Sequence, residues 1–365
     1  MKISAFEVYA YSLTYAHGQY VMSGGRAAST QGSTLVRICT DDGLDGWGEV
    51  SPLAGTYLPT FTGAVRAALE LVGPSLLGED PTNLNRVHRI LRSQLLGNEA
   101  AKSAIDIACW DLLGKRAGLP VAALLGGVLQ EDFPLYEAVP LASPEEMVAF
   151  VERRRAAGIT QFQLKVGNDP HDDARRTRAV VESVPKSVTV IADSNGGWNI
   201  PDAIAAVREM DDLPVYLEQP CRSTLDNAVV RRQTRLPLVL DESIVNLDDL
   251  VAAKYDAGAG SINIKLSRVG GITAAARMRD RAVDLGLSVS IEDTWGGDVT
   301  SAATSHIAAS TAERDLLTTS FFNDWTVEKV ADGPRSVNGR GSAPTGPGLG
   351  ITVDVSALGA PLITF

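Results

Sequence analysis

Five residues of the 365-residue sequence have the types and spacing of a proton-transfer centre: Lys165, Asp193, Glu218, Asp241 and Lys265. The acids are separated by 25 residues (218 minus 193) and 23 residues (241 minus 218), a repeat suited to successive strand–helix units. Three carboxylates brought together repel one another unless a cation sits among them. All-oxygen ligation suits a hard divalent ion, Mg²⁺ or Mn²⁺, with positions left for substrate oxygens. A lysine desolvated beside such a cation is expected to have its pKa lowered towards the range in which it accepts a proton. Two such lysines facing one carbon from opposite sides can remove a proton from one face and deliver one to the other. That arrangement serves racemisation, epimerisation and anti elimination. A proton next to a carboxylate is very weakly acidic, and a divalent ion holding that carboxylate stabilises the enediolate formed on deprotonation.

These side chains can meet only if the chain places them at one end of a common scaffold. From about residue 133 a β-rich run followed by an amphipathic helix recurs every 25 to 30 residues. The strands are expected at 134 to 139, 160 to 166, 188 to 193, 214 to 218, 237 to 241, 260 to 265, 287 to 291 and about 315 to 320. Helices such as 144 to 157, 270 to 284 and 298 to 310 fill the gaps, which predicts an α/β fold with a TIM-type (β/α) barrel. Chemistry in such barrels sits at the carboxyl ends of the strands. There the sequence has Gln163-Leu164-Lys165, Asp193-Ser194-Asn195, Glu218-Gln219-Pro220, Asp241-Glu242, Lys265 and Glu292-Asp293. Side-chain alternation points Gln163 inward with Lys165, and Asn263 inward with Lys265. Gln163, Asn195 and Glu242 flank the lysines and acids and are expected to orient them.

Residues 1 to about 60 alternate polar and apolar, with turns at Asp41-Asp42-Gly43 and Asp45-Gly46, and predict an antiparallel meander. From 62 to 125 the period becomes helical, most clearly from Ser103 to Arg116, where Gly118 and Pro120 stop the helix. The expected organisation is an α+β capping domain over 1–125, the barrel over 126–345, and a tail over 346–365 that returns to the cap.

Composition narrows the partners. Apolar residues at 45% and charged residues at 21% are ordinary for a soluble globular protein, and no run reaches the roughly 18 apolar residues of a membrane span. The opening MKISAFEVYAYSLTY reads as a strand rather than a signal peptide, so a cytoplasmic location is expected. Cys39, Cys109 and Cys221 lack CxxC spacing, which fits a reducing compartment and argues against a zinc cluster. The net charge of -11 disfavours nucleic acid and anionic membranes as partners. It is compatible with a small anionic substrate, because a bound cation and a few lysines reverse the local potential. His17, His88, His171 and His306 show no metal-like spacing; His171 reads as a helix-start residue, and His17 lies near a lid.

Several stretches carry a family resemblance: Ser23-Gly24-Gly25, the run Pro52 to Pro59, the helix Ile105 to Asp111, the strand Phe162 to Gly167, and Glu292 to Asp298. With the acids and lysines above, the chain resembles the enolase superfamily, muconate lactonizing enzyme subgroup, across its length. In that family a capping domain closes a modified barrel, and the metal ligands end strands three, four and five, here Asp193, Glu218 and Asp241. A lysine or histidine base working with Mg²⁺ is the chemistry this superfamily shares. The subgroup's Lys-x-Lys pattern on strand two is Gln163-Leu164-Lys165 here, so the tuning of Lys165 is left to the metal and Lys265. The strand-six lysine separates the chain from the mandelate racemase subgroup.

Within the subgroup these stretches are most similar to cis-3-hydroxy-L-proline dehydratases, then to 4-hydroxyproline betaine 2-epimerases. The resemblance implies Mg²⁺-dependent removal of the proton alpha to a carboxylate and anti elimination of water, giving pyrroline-2-carboxylate. The alternative is a 2-epimerase or racemase of proline betaine, hydroxyproline betaine or another N-substituted amino acid. The partner is then a small carboxylate with a secondary or quaternary amine, and a homo-oligomer is expected. Ser23 and Tyr20 on one lid, Tyr57 on a second, and Asp293, Thr294 and Trp295 after strand seven are the expected substrate contacts. Strand eight departs from the dehydratase pattern Thr-Asp-Phe-Asn, reading Thr319-Ser320-Phe321-Phe322. Amine recognition is therefore left to Asp293, Asp324 or cation–π contact with Tyr57, Trp295 or Trp325.

Overall fold

The alternating N-terminal segment folds into an antiparallel meander of Ile3–Thr14, Thr30–Thr40 and Asp45–Val50, in a computed structural model that describes residues Met1–Phe365. Phe6, Val8, Val36, Ile38 and Val50 on one face pack against helices Thr62–Val72, Leu84–Gln94 and Glu99–Ala117, forming a cluster of 21 buried apolar residues. The third helix starts at Glu99 rather than Ser103, because Ala100 and Ala101 continue its buried side. It ends at Gly118, whose φ of 68° is the left-handed conformation that closes a helix C-terminus. This helix lies directly on the third strand, since a Cβ on Gly48 would sit 1.8 Å from the carbonyl oxygen of Ala104. The C-terminal Ile363–Thr364 adds to the free edge of the first strand, Val8 opposite Ile363.

The βα rhythm becomes a barrel of eight parallel strands: Tyr136–Val139, Gln161–Lys165, Thr189–Asp193, Tyr216–Glu218, Leu238–Leu240, Ser261–Lys265, Ser288–Glu292 and Leu316–Thr319. The ladder runs in sequence order. Its register sets Lys165 beside Asp193, Asp193 beside Glu218, and Lys265 beside Glu292. A cluster of 60 buried residues, mostly between barrel and outer helices, holds the strands in place. No helix is long and apolar enough to cross a membrane.

Buried acids of the N-terminal region fasten it to the barrel by serving helix N-termini. Glu49, fully buried, accepts the N–H groups of Gly297 and Thr300 at 2.9 Å each, where helix Asp298–Ala309 begins. Asp106 does the same for helix Ile272–Asp284 through the Thr273 N–H (2.9 Å) and hydroxyl (2.6 Å), while His88 bonds it from behind (2.6 Å). Both carboxylates face the positive end of a helix dipole and satisfy donors the helix leaves open.

His306, buried on helix Asp298–Ala309, takes the N–H of Ala122 at Nδ1 (3.2 Å) and donates from Nε2 to the Leu349 carbonyl (3.1 Å). One neutral imidazole thus joins barrel, connecting segment and tail. Burial pushes its pKa down to about 4. The unfolded chain, with a histidine pKa of about 6.5, takes up this proton first as the pH falls, so the folded state loses up to about 3 kcal/mol between pH 6.5 and 4. The thermal midpoint of the wild type should therefore fall more steeply over that window than that of His306→Gln. Parallel pH profiles would show that the imidazole carries no such penalty.

Candidate active site

At the carboxyl ends of the strands the register brings the lysines and acids to one buried centre. Lys165 and Lys265, on strands two and six, stand across the ring from each other, and their residues are 5% and 6% exposed. Lys165 donates to Asp193, whose oxygens also accept the Asn195 backbone N–H and side-chain amide at 2.8 Å each. Lys265 donates to Glu292 (2.7 Å) and lies 3.3 Å from Asp241. Asp241 further pairs with Arg268 (2.7 Å) and accepts the Tyr57 hydroxyl (2.5 Å). Glu218 receives Gln163 (3.0 and 3.1 Å) and Asn263 (2.7 Å). Asn195 also bonds Glu242 at 3.1 Å.

The acids end neighbouring strands but are not drawn into a ready-formed ligand shell, because each has its own partner: a lysine for Asp193, a lysine and an arginine for Asp241, two amides for Glu218. These partners also set the charge of the two lysines. Burial opposes the ammonium of Lys165, but Asp193, Tyr20 and Glu218 outweigh it and hold the pKa well above the ordinary lysine value. Lys265 is raised likewise, against burial, by Asp241 and Glu292.

The acids at the centre outnumber the cations. Four buried acids, Asp193, Glu218, Asp241 and Glu292, and the half-buried Glu242 face three buried cations, Lys165, Lys265 and Arg268, an excess of two acids. Burial, then the neighbouring carboxylates, push Glu218 well above the usual carboxylate range and Glu242 up to about 8. Asp241, against the cost of burial, is held down to about 2 by Lys265 and Arg268. Glu242 Oε2, Asn195 Oδ1 and Asn263 Oδ1 are buried without a donor. Oxygen ligands in excess, two more acids than cations and unpartnered oxygens fit a hard divalent cation.

Two segments of the cap cover this centre, each placing a tyrosine over one lysine. The Tyr20 ring lies 6.0 Å from Lys165 Nζ and the Tyr57 ring 5.2 Å from Lys265 Nζ. Between the lids and the ends of strands three to five lies a cleft of about 650 Å³, reached by Tyr57, Asn195, Arg26, Arg222 and Glu242.

Ser23 also lines this cleft, its Oγ accepting from Arg26 of the same lid (2.7 Å). The remaining expected contacts are engaged elsewhere. The Asp293 oxygens are taken by the Ser267 hydroxyl and N–H and by the Thr294 N–H, so they are not free for an amine. Thr294 donates to the Ser51 carbonyl (2.7 Å), and Asp324 accepts the Ser336 N–H (2.7 Å). Trp295, 1% exposed, is packed among Tyr15, Tyr20, Phe322 and Trp325, its indole N–H unpartnered. The inward acid of strand seven is Glu292, held by Tyr136, Asn263 and Lys265. Alternation could have found it, since Glu292 shares the register and side of Lys265 whereas Asp293 must face away. Arg268 follows the last strand-six residue by one short turn and has no comparable signal in the sequence.

Arg268 is the cation that Asp241 cannot lose without being left buried and undercompensated. Arg268→Ala should cost about 3–5 kcal/mol, the usual penalty for breaking one side of a buried ion pair. A thermal midpoint within a degree or two of wild type would contradict this accounting.

Comparison with known proteins agrees with this geometry. Residues 13–126 match the mandelate racemase/muconate lactonizing enzyme N-terminal domain, and residues 146–357 match an enolase C-terminal domain-like model. Over the full length of both chains, the sequence is 42% identical to cis-3-hydroxy-L-proline dehydratase from Roseibium aggregatum. Over 85% of both chains it is 31% identical to N-succinyl-L-Arg/Lys racemase from Bacillus cereus. A member of the enolase superfamily from Roseovarius nubinhibens ISM, solved in complex with magnesium, superposes with a TM-score of 0.93 at 33% identity, covering 100% of this chain and 99% of that one.

Proposed function

The chain belongs to the mandelate racemase/muconate lactonizing enzyme family, and from that premise we propose that it dehydrates cis-3-hydroxy-L-proline to pyrroline-2-carboxylate. The observation that carries this reading is the pair of buried lysines facing each other across one acidic centre. In this substrate the hydroxyl is on the same ring face as the carboxylate, and hence opposite the C2 hydrogen. One lysine, as a neutral amine, takes the C2 hydrogen. The other, an ammonium on the opposite face, gives a proton to the C3 hydroxyl, which leaves as water while the C2–C3 double bond forms. The resulting enamine gains a proton at C3 and loses one from nitrogen to become the cyclic imine.

Asp193, Glu218 and Asp241 would hold Mg²⁺, or Mn²⁺ in its place, and such an ion would supply positive charge against the substrate carboxylate and answer the acid charge that otherwise keeps both lysines protonated. Gln163 and Asn263 fix Glu218, and Asn195 fixes Asp193 and Glu242, so the oxygens keep their direction. Glu292, braced by Tyr136, aims the Lys265 ammonium. The ring nitrogen, a secondary ammonium, would lie against Tyr20 or Tyr57, whose faces already border cations.

A second reading, 2-epimerisation of proline betaine or another N-substituted amino acid, is favoured by the same facing lysines together with the similarity to a racemase. Proton NMR in D₂O with Mg²⁺ separates the two. With cis-3-hydroxy-L-proline we expect loss of the C2 and C3 signals and appearance of the pyrroline. Exchange and inversion at C2 of a betaine would instead select the epimerase, and a panel of both substrate types without alpha-proton exchange would refute both.

Lys165→Ala and Lys265→Ala should each lower kcat by about 10²–10⁴, the range for a lost acid or base. Chelation by EDTA should abolish turnover, with recovery on adding Mg²⁺. Full activity in both lysine variants would remove the mechanism.

A further inference from the structure

Outside the lysine centre, the seam between cap and barrel holds a second concentration of charge. Helix Leu84–Gln94 turns Val87 and Leu91 into the cap core. Its residues Asn85, His88, Arg89 and Arg92, at three- and four-residue steps, share one side, and they border a cavity of about 240 Å³ with Arg277 from barrel helix Ile272–Asp284. No apolar residue lines this cavity. Arg89, Arg92 and Arg277 have no carboxylate partner, whereas Arg86, leaving the same helix on another side, is paired with Glu79 at 2.8 Å. No acid lines this cavity, and Asp106, which His88 bonds, is spent on His88 and Thr273. Three guanidinium groups from two domains therefore converge without compensation in a chain whose net charge is -11. Like charges gathered in this way repel, and a multiply charged anion relieves them.

The cavity does not stand alone. Asn85 and Arg277 also line an adjoining cleft of about 590 Å³, whose wall is formed by Leu84, Trp110, Leu124 and Leu125. The indole N–H of Trp110 is satisfied by Thr273 Oγ1 (2.8 Å), and Asp280 in the same cleft is paired with Arg279 (2.8 Å). What remains is a ring face and aliphatic surface on one side and unpaired guanidinium groups on the other. We propose that this seam binds a phosphate monoester of a planar or apolar organic group, with the phosphate on Arg89, Arg92 and Arg277 and the carbon skeleton against Trp110. Arginine suits the phosphate because its planar donors meet two oxygens at once.

The test is calorimetric titration of the full-length, magnesium-loaded protein with phenyl phosphate, inorganic phosphate and phenol; binding is the readout, so the outcome is independent of the substrate assigned above. Phenyl phosphate should bind at least about threefold more tightly than inorganic phosphate, and phenol should not bind measurably. Arg89→Ala combined with Arg277→Ala, both exposed positions, should weaken phenyl phosphate by about tenfold or more. Trp110→Leu should bring phenyl phosphate down to the affinity of inorganic phosphate and leave the latter unchanged, with thermal midpoints measured on each variant to exclude unfolding. Unchanged affinity in the double arginine variant, phenyl phosphate no tighter than phosphate, or no saturable binding up to about 10 mM would each overturn the proposal.

Discussion

Charge balance in a space closed to water is the constraint on which the barrel mouth depends. Four buried acids, the half-buried Glu242 and three buried cations cannot share one centre unless each is answered by another group or by an ion. The strands answer part of the demand by register, since parallel neighbours set Lys165 against Asp193 and Lys265 against Glu292. Amides answer another part at Glu218. The surplus falls on Glu218 and Glu242, the acids raised by burial and by their neighbours. Acid–base chemistry and metal affinity are thus two expressions of one electrostatic imbalance.

The scaffold keeps that imbalance from relaxing. A 60-residue core fixes strand positions, and Glu49 and Asp106 tie the cap to the starts of two barrel helices. Each tie uses a donor that the helix would otherwise leave open, so it adds orientation without burying an unanswered charge. The helix held by Glu49 follows strand seven, and the helix held by Asp106 follows strand six. The cap is therefore anchored next to the two strands that carry Glu292 and Lys265.

Much of this was legible in the sequence because it rests on periodicity. The βα repeat gave eight strands within a residue or two of their observed ends, and the positions of Lys165, Asp193, Glu218, Asp241 and Lys265 follow from strand ends alone. Alternation also held the answer at strand seven, where Glu292 rather than Asp293 faces the centre. What periodicity does not encode is which partner a side chain meets across long separations. The bonds of Thr294 to Ser51, Asp241 to Tyr57, and Glu49 to Gly297 each span well over a hundred residues. The charge state of the lysines is not encoded for a related reason: it depends on how many acids and cations share the cavity, and that number exists only once the strands have assembled.

The two lids differ in how they are attached. Tyr20 is locked into an aromatic cluster with Tyr15 and Trp295, and the neighbouring Gly24 N–H is fixed on Asn168 (2.9 Å). Tyr57 reaches the centre through its hydroxyl bond to Asp241 Oδ2, the oxygen that Lys265 also approaches. The covering of the site is therefore an aromatic wall on the Lys165 side and, on the Lys265 side, a loop seated by Leu53, Leu58 and the Ala54–Gln31 bond, whose tyrosine shares one carboxylate oxygen with the lysine it covers. Any change in the demand on that oxygen is thus also a change in what holds the tip of the loop to the barrel.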